Sequence, residues 1–190
     1  MRSQKEILHT LSDKELYLNL YLTQCFMLFT AVIGAYFFQG SILVPFQQIT
    51  ISLKATLIGA VFAFIVIVIE IICMKLLPEK WFDDGGINER IFKNMHPLQI
   101  VFFSIIVGFS EELLFRGVIQ TEFGIVIASL IFALIHIRYL GNVFLFSFVV
   151  IISFSLGALY WWTGNLWTSI TAHIIIDLVL GILIRYNRFK

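Results

Sequence analysis

The sequence predicts an all-α integral membrane protein that folds as a bundle of about six transmembrane helices. Its 190 residues are 59% hydrophobic and only 13% charged, which is far more apolar than a soluble domain of ordinary composition. Apolar runs close to the ~20 residues that a helix needs to cross a bilayer recur along the chain. They do not alternate polar and apolar residues as the strands of a transmembrane barrel do, so helices are the expected spanning element.

Breaks that contain Pro, Gly or polar residues separate the apolar runs and set the predicted ends of the spans. Pro45 follows the first run, Pro78 ends the second and Pro97 opens the third. The fourth run is the shortest, because its ~15 residues rise only ~22 Å, so it should tilt less than its neighbours or lie partly within the protein. We place the spans at Leu16–Phe38, Leu53–Met74, Leu98–Gly117, Phe123–Ile137, Val143–Trp162 and Leu166–Ile184.

The chain divides into an N-terminal part, residues 1–96, and a C-terminal part, residues 97–190, within one compact membrane domain. The N-terminal part contains a helical pair and the one sizeable loop, residues 79–95, which mixes charged residues with aromatic and aliphatic ones. Such a composition suits an interfacial segment that lies on the lipid headgroups. A plain solvated loop is the alternative, and the sequence does not choose between them.

Charge and hydropathy indicate where partners should be sought. The formal net charge is only +1, and the chain has no basic block of the kind that binds nucleic acid. The mean hydropathy of +0.94 suits a chain whose main surroundings are lipid. We therefore expect a multi-pass protein of the cell membrane, with the lipid bilayer as one partner and no nucleic acid.

Ionisable residues inside the apolar spans need a reason to be there. A carboxylate near mid-membrane costs about 2.5–3.5 kcal/mol on insertion scales, so such residues are rare and are functional by default. An intramembrane pair of adjacent carboxylates is especially unfavourable unless the two are paired or face a wet cavity. The predicted spans contain the following carboxylate, guanidinium and imidazole side chains: Glu70, Glu111, Glu112, Arg116, His136, His173 and Asp177.

Spacing assigns different surroundings to the two adjacent glutamates. Glu112 and Arg116 are four residues apart, which puts them on one helix face and predicts a supporting ion pair. Glu111 lies ~100° around the helix from Glu112, away from Arg116 and free to act as a base or a ligand. The alternative is a wholly structural ion pair beside a protonated spare glutamate.

The histidines point to a shared site with these glutamates. His173 and Asp177 repeat the i, i+4 arrangement on the sixth span, and His136 comes from the fourth. Measured from one side of the membrane at ~1.5 Å per residue, Glu111, His136 and His173 fall within ~11 Å of one another in depth. We therefore expect these residues to converge on one cavity, although a lone helical histidine is usually a satisfied core residue.

A carboxylate with two imidazoles can activate water for attack on a carbonyl, either directly or through a metal. In a zinc version, Glu111, His136 and His173, with or without Asp177, supply three or four ligands and leave an open position for water. In a metal-free version, Glu111 and His136 hold and deprotonate the water and His173 stabilises the oxyanion. The sequence does not separate these two, and it contains neither HExxH nor GxSxG.

Three short motifs resemble those of one known family. The motifs EExxxR, FxxxH and HxxxN mark the CAAX prenyl endopeptidase and bacteriocin-processing (CPBP) family, also called Abi proteins. Here they occur in the family's order over roughly Pro97–Leu183, with one departure, because an aspartate stands where the family's third motif usually has asparagine. The residues that carry the resemblance are Glu111, Glu112, Arg116, Phe132, His136, His173 and Asp177.

The resemblance implies a membrane-embedded endopeptidase, a hydrolase that cuts membrane-associated peptides or proteins. The family is commonly labelled as metalloproteases, although some members look metal-independent and glutamate-dependent. By resemblance Glu111 is the water-activating base, His136 its partner and His173 an oxyanion or zinc residue, with Glu112 and Arg116 as the supporting pair. An ionised Asp177 cannot donate a hydrogen bond as asparagine does, so it would orient His173 or bind metal instead.

Two other classes of function compete with the endopeptidase. A non-catalytic scaffold or immunity factor could keep the same fold and motifs without turnover. An ion-coupled transporter could use intramembrane Glu and His residues as a relay, but it would require inverted repeats or broken helices, and neither is visible in the sequence. Cleavage of a membrane-tethered reporter, with and without the Glu111 carboxylate, separates these hypotheses.

Overall fold

The computed structural model describes residues 11–186, and the regular elements in that range are helical, with no strand among them. Within residues 11–186, five helical runs are long and apolar enough to cross a membrane, which confirms the predicted fold class. Short 3₁₀ turns lie at Glu79–Phe82 and Ile137–Tyr139. The helices are α1 (Asp13–Gln39), α2 (Val44–Gln47), α3 (Leu53–Leu76), α4 (Ile87–Lys93), α5 (Pro97–Glu112), α6 (Thr121–Ile135), α7 (Val143–Thr163) and α8 (Leu166–Arg185).

The third and fourth predicted spans form one helical run, Pro97–Ile135, in which a π-helical segment, Leu113–Gln120, joins α5 to α6. A straight helix of 39 residues would be roughly 58 Å long, about twice the thickness of the hydrocarbon core. The run instead breaks at Gly124, whose φ of 83° and ψ of 167° are not helical. The run therefore turns back at Gly124, and its two arms correspond to the two predicted spans.

Contact between the two arms confirms that the run folds back. The rings of Phe115 and Phe132, one on each side of Gly124, lie 5.0 Å apart edge to face. Residues seventeen positions apart would be ~25 Å apart along a straight helix. The break suits glycine, because a positive φ is strained for other residues. This turn brings α6, which ends beside His136, against the segment that contains the glutamates.

Helix α8 is the centre of the bundle, because α3 and α5 both pack closely against it. A Cβ added to Gly59 of α3 would lie 2.5 Å from the carbonyl oxygen of Thr168. A Cβ added to Gly108 of α5 would lie 2.7 Å from the side chain of Ile174. Small residues at such crossings let membrane helices approach each other closely. The packing places the polar residues of α8 inside the bundle.

The loop between α3 and α5 differs from both sequence-based expectations. Ile91 of α4 and Met95 just after it are 2% and 0% exposed, and they pack in a hydrophobic cluster with Ile100 and Phe103 of α5. The Tyr17 hydroxyl of α1 donates a hydrogen bond to the carbonyl of Ile91 at 3.3 Å. The second half of the loop is therefore part of the protein core, neither a purely interfacial segment nor a solvated loop.

The outward faces of the long helices carry large apolar side chains, as a lipid environment requires. Phe37 and Leu53 are each 75% exposed and Val143 is 81% exposed. Exposed apolar surface on this scale would favour aggregation of a soluble protein. The described chain thus buries polar residues at its centre and presents apolar ones outside, which is the arrangement of a multi-pass membrane protein.

Candidate active site

The deepest part of the site is the ion pair between Glu112 and Arg116 that the i, i+4 spacing predicts. Neither side chain is exposed, and Arg116 Nε lies 3.4 Å from Glu112 Oε2. Arg116 Nη2 donates a hydrogen bond to Ser153 Oγ of α7 at 3.1 Å. The guanidinium carbon also lies 5.3 Å from the centre of the Phe132 ring. The buried cation is therefore held by α5, α6 and α7 together.

His173 of α8 connects this ion pair to the other two carboxylates. Its Nδ1 lies 3.0 Å from Glu112 Oε1, and because an ionised carboxylate only accepts, Nδ1 carries the proton and donates it. Its Nε2 lies 3.6 Å from Asp177 Oδ2 and 4.0 Å from Glu111 Oε2. Glu112 therefore fixes the orientation of the imidazole through Nδ1, and Nε2 faces Glu111 and Asp177.

Glu111 is held by a residue that sequence reasoning missed. Gln24 of α1 donates from Nε2 to Glu111 Oε1 at 3.3 Å, and Ser110 Oγ donates to Gln24 Oε1. All three side chains are buried. Gln24 is uncharged, so a search for ionisable residues in the spans passes over it, but an amide in an apolar run is a comparable signal. Ser110, which precedes the glutamates, thus donates a hydrogen bond to the Gln24 amide, and that amide donates one to Glu111.

His136 ends α6 instead of lying within a span. Its Nδ1 lies 2.7 Å from the carbonyl oxygen of Phe132, and since a carbonyl only accepts, Nδ1 donates and Nε2 of the neutral ring is free to accept. The Phe132 ring centre lies 4.6 Å from the His136 ring and 6.2 Å from the His173 ring. Across residues 11–186, His136 forms no ion pair with a carboxylate. Its contact with the other site residues is made by the Phe132 ring, which packs against both histidines.

Two charged residues act on the site from its rim. Glu70 of α3, which the sequence marks as an intramembrane carboxylate, is half-buried and interacts electrostatically with Asp177. Arg138, in the turn after α6, interacts electrostatically with both Glu111 and Asp177. Arg138 lies outside the predicted spans, so a search for intramembrane charges does not find it. The tertiary structure alone relates it to the site.

The site residues, as placed, do not form a ligand set for zinc. No group of three or more His, Cys, Asp or Glu side chains that could hold a metal ion occurs in the described chain. Glu111 and Asp177 approach His173 Nε2, but His136, the third expected ligand, packs against the Phe132 ring and forms no ion pair with either carboxylate across residues 11–186. The zinc site remains a prediction from the sequence.

Comparison with known proteins relates the chain to one family. Residues 93–179 match the family model described as type II CAAX prenyl endopeptidase Rce1-like, and this stretch contains Glu111, His136 and His173. The chain is also similar to YpbD of Bacillus subtilis (strain 168), a protein described as uncharacterized. The two are 41% identical over 170 residues, which are 89% of this chain and 90% of the relative. No solved structure matches the chain. The likeness to YpbD extends well beyond the residues that carry the motifs.

Proposed function

The chain belongs to the Rce1-like family of type II CAAX prenyl endopeptidases, and from that premise we propose that it is an intramembrane endopeptidase of the cell membrane. Its substrates are membrane-associated peptides or proteins, which reach a site enclosed by apolar helices. One observation carries the proposal. Glu111 and Asp177 converge on the free nitrogen of a histidine whose other nitrogen is fixed by the buried Glu112–Arg116 pair.

Glu111 is the general base of the proposed reaction. It is 6% exposed and does not share Arg116, which is paired with Glu112, so its nearest ionisable partner among residues 11–186 is His173, with Nε2 at 4.0 Å. Gln24 holds one carboxylate oxygen and leaves the other on the side of His173. Glu111 takes a proton from water, and the resulting hydroxide attacks the peptide carbonyl. A positioned base of this kind typically contributes ~10²–10⁴-fold to the rate.

The two histidines complete the reaction in different ways. His136 has an accepting Nε2, which orients the water toward Glu111, because its Nδ1 donates to the Phe132 carbonyl. His173 can donate from Nε2 to the oxyanion when its ring carries a second proton, since Nδ1 already donates to Glu112. The proton held by Glu111 then passes to the leaving amine as the carbon–nitrogen bond breaks.

Reporter cleavage tests the proposal. A membrane-tethered reporter should be cut in cells that express the wild-type chain, and Glu111→Gln should lower cleavage by ~10²–10⁴-fold. Glu122→Gln is the matched control, because Glu122 is an exposed carboxylate on α6 outside the site. Cleavage that survives Glu111→Gln would contradict the mechanism and favour the non-catalytic scaffold or immunity factor.

A further inference from the structure

Helix α7 carries none of the motif residues, but one of its serines contacts the ion pair at the base of the site. Arg116 Nη2 donates a hydrogen bond to Ser153 Oγ at 3.1 Å, and neither side chain is exposed. Arg116 Nε forms the ion pair with Glu112, and Nη1 has no hydrogen-bond partner among residues 11–186. Glu112 and Ser153 therefore hold the guanidinium at two different nitrogens.

Ser153 belongs to a face of α7 that packs against the end of the π-helical segment. Four residues after Ser153, the carbonyl of Gly157 accepts a hydrogen bond from Gln120 Nε2 at 2.8 Å. A Cβ added to Gly157 would lie 2.7 Å from Gln120 Oε1, so a larger residue would push the glutamine aside. Residues four apart share one helix face. The position of α7 along the segment that contains Arg116 is therefore fixed by two hydrogen bonds, one turn apart.

A chain of contacts carries this position from α7 to α8. Arg116 Nε lies 3.4 Å from Glu112 Oε2, and the other oxygen of that carboxylate lies 3.0 Å from His173 Nδ1. An arginine side chain has many rotamers, so the ion pair by itself leaves the guanidinium several positions. The hydrogen bond to Ser153 selects one of them. Because the groups of a buried polar network depend on one another, Glu112 and His173 should follow any movement of the guanidinium.

We propose that Ser153 is a positioning residue for the reaction. It fixes the Arg116 guanidinium, which through Glu112 holds the imidazole of His173 with Nε2 toward the substrate side of the site. The inference rests on the proposed function, and it gives α7 a role that the motif residues do not define. The competing explanation is a serine that only helps α7 to pack against its neighbours.

Cleavage kinetics distinguish these two roles. Ser153→Ala removes the hydrogen-bond acceptor, and Ser153→Cys keeps a side chain of similar size that is only a weak acceptor. Both variants should lower kcat by ~10-fold or more, as losses of supporting contacts typically do, with KM nearly unchanged. Ser155→Ala is the matched control, because the Ser155 hydroxyl on the same helix donates to the carbonyl of Ile151 in its own helix at 2.8 Å. The control should keep the wild-type kcat.

A measurement on the imidazole itself needs no turnover. Full-length protein with isotope-labelled histidine is studied by NMR in phosphatidylcholine nanodiscs. The proton that His173 Nδ1 donates to Glu112 should give a resonance shifted strongly downfield, which is assigned by its loss in His173→Gln. In Ser153→Ala and Ser153→Cys this resonance should move or broaden, because the carboxylate is no longer held in one place. In Ser155→Ala it should stay where it is.

The outcomes separate the positioning role from the proposed function. A wild-type resonance in both Ser153 variants overturns the positioning role, and so does a moved resonance with an unchanged kcat, which leaves the endopeptidase standing. A moved resonance in Ser155→Ala as well, or loss of the fold in both Ser153 variants, assigns Ser153 to packing and also overturns it. A resonance that moves only in the Ser153 variants, while the wild-type chain cuts no reporter, supports the link from Ser153 to His173 and contradicts the endopeptidase.

Discussion

Glu111 and Glu112 are adjacent in the chain, but the site surrounds them differently. Glu112 has no exposed surface, and it contacts both Arg116 and His173 Nδ1. Glu111 is slightly exposed, receives one amide hydrogen bond from Gln24 and lies 4.0 Å from His173 Nε2. One carboxylate is neutralised and fixed, and the other keeps unused acceptor capacity on the side where substrate would lie.

The difference indicates that one carboxylate has a structural role and the other a catalytic one. Glu112 has an ion-pair partner at one oxygen, Arg116, and a hydrogen-bond donor at the other, His173, so it stabilises the fold and orients its neighbours. Glu111 keeps lone pairs that can accept a proton from water. The i, i+4 spacing gives Arg116 to Glu112, and the fold then brings His173 to the same carboxylate.

Replacing Glu112 should destabilise the protein far more than replacing Glu111. Glu112→Gln leaves Arg116 as a buried cation without its carboxylate, a change that costs about 3–5 kcal/mol in comparable buried pairs. Glu111→Gln removes a carboxylate that is not paired with Arg116 and lies 4.0 Å from His173 Nε2, so its effect on unfolding should be about 1 kcal/mol. Thermal unfolding of both variants in the same detergent measures the contrast. Equal losses of stability would show that the two carboxylates contribute equally to the free energy of unfolding, and would contradict the contrast.

Replacing Gln24 should lower activity without a comparable loss of stability. Gln24→Leu removes the hydrogen bond that positions Glu111, and such supporting contacts typically contribute ~10-fold or more to activity. The effect should appear in kcat and leave KM nearly unchanged, because Gln24 positions the base. Thr23→Val is the control, since Thr23 is exposed on the same helix. An equal fall in Tm and activity would indicate a merely structural residue.

Asp177→Asn should have the smallest effect, with activity kept within a few fold or raised. Glu112, not Asp177, holds His173 Nδ1, and an asparagine amide can donate to an oxyanion where an ionised carboxylate cannot. Cleavage of the reporter by the variant is measured with and without a chelator. A ~10–100-fold loss, together with chelator sensitivity, would instead support Asp177 as a ligand or second-sphere group of a zinc site.

Spacing in the sequence predicts some contacts of the site and misses others. The Glu112–Arg116 pair follows from spacing on one helix, and the structure contains it. Which residue holds His173 Nδ1 could not be read from spacing, because Asp177 is the local i, i+4 neighbour and Glu112 reaches the ring from another helix. Spacing could not predict the hydrogen bond from Gln24 to Glu111 either, because the two residues lie 87 positions apart in the chain.

The helical membrane fold follows from the sequence, because hydropathy and helical periodicity are local properties that each apolar run expresses on its own. The fold-back of Pro97–Ile135 at Gly124, the packing of α4 into the core and the electrostatic action of Arg138 on Glu111 emerge from the tertiary structure. These features depend on which helix faces meet. That choice is made by side-chain packing between distant segments, and no local pattern encodes it.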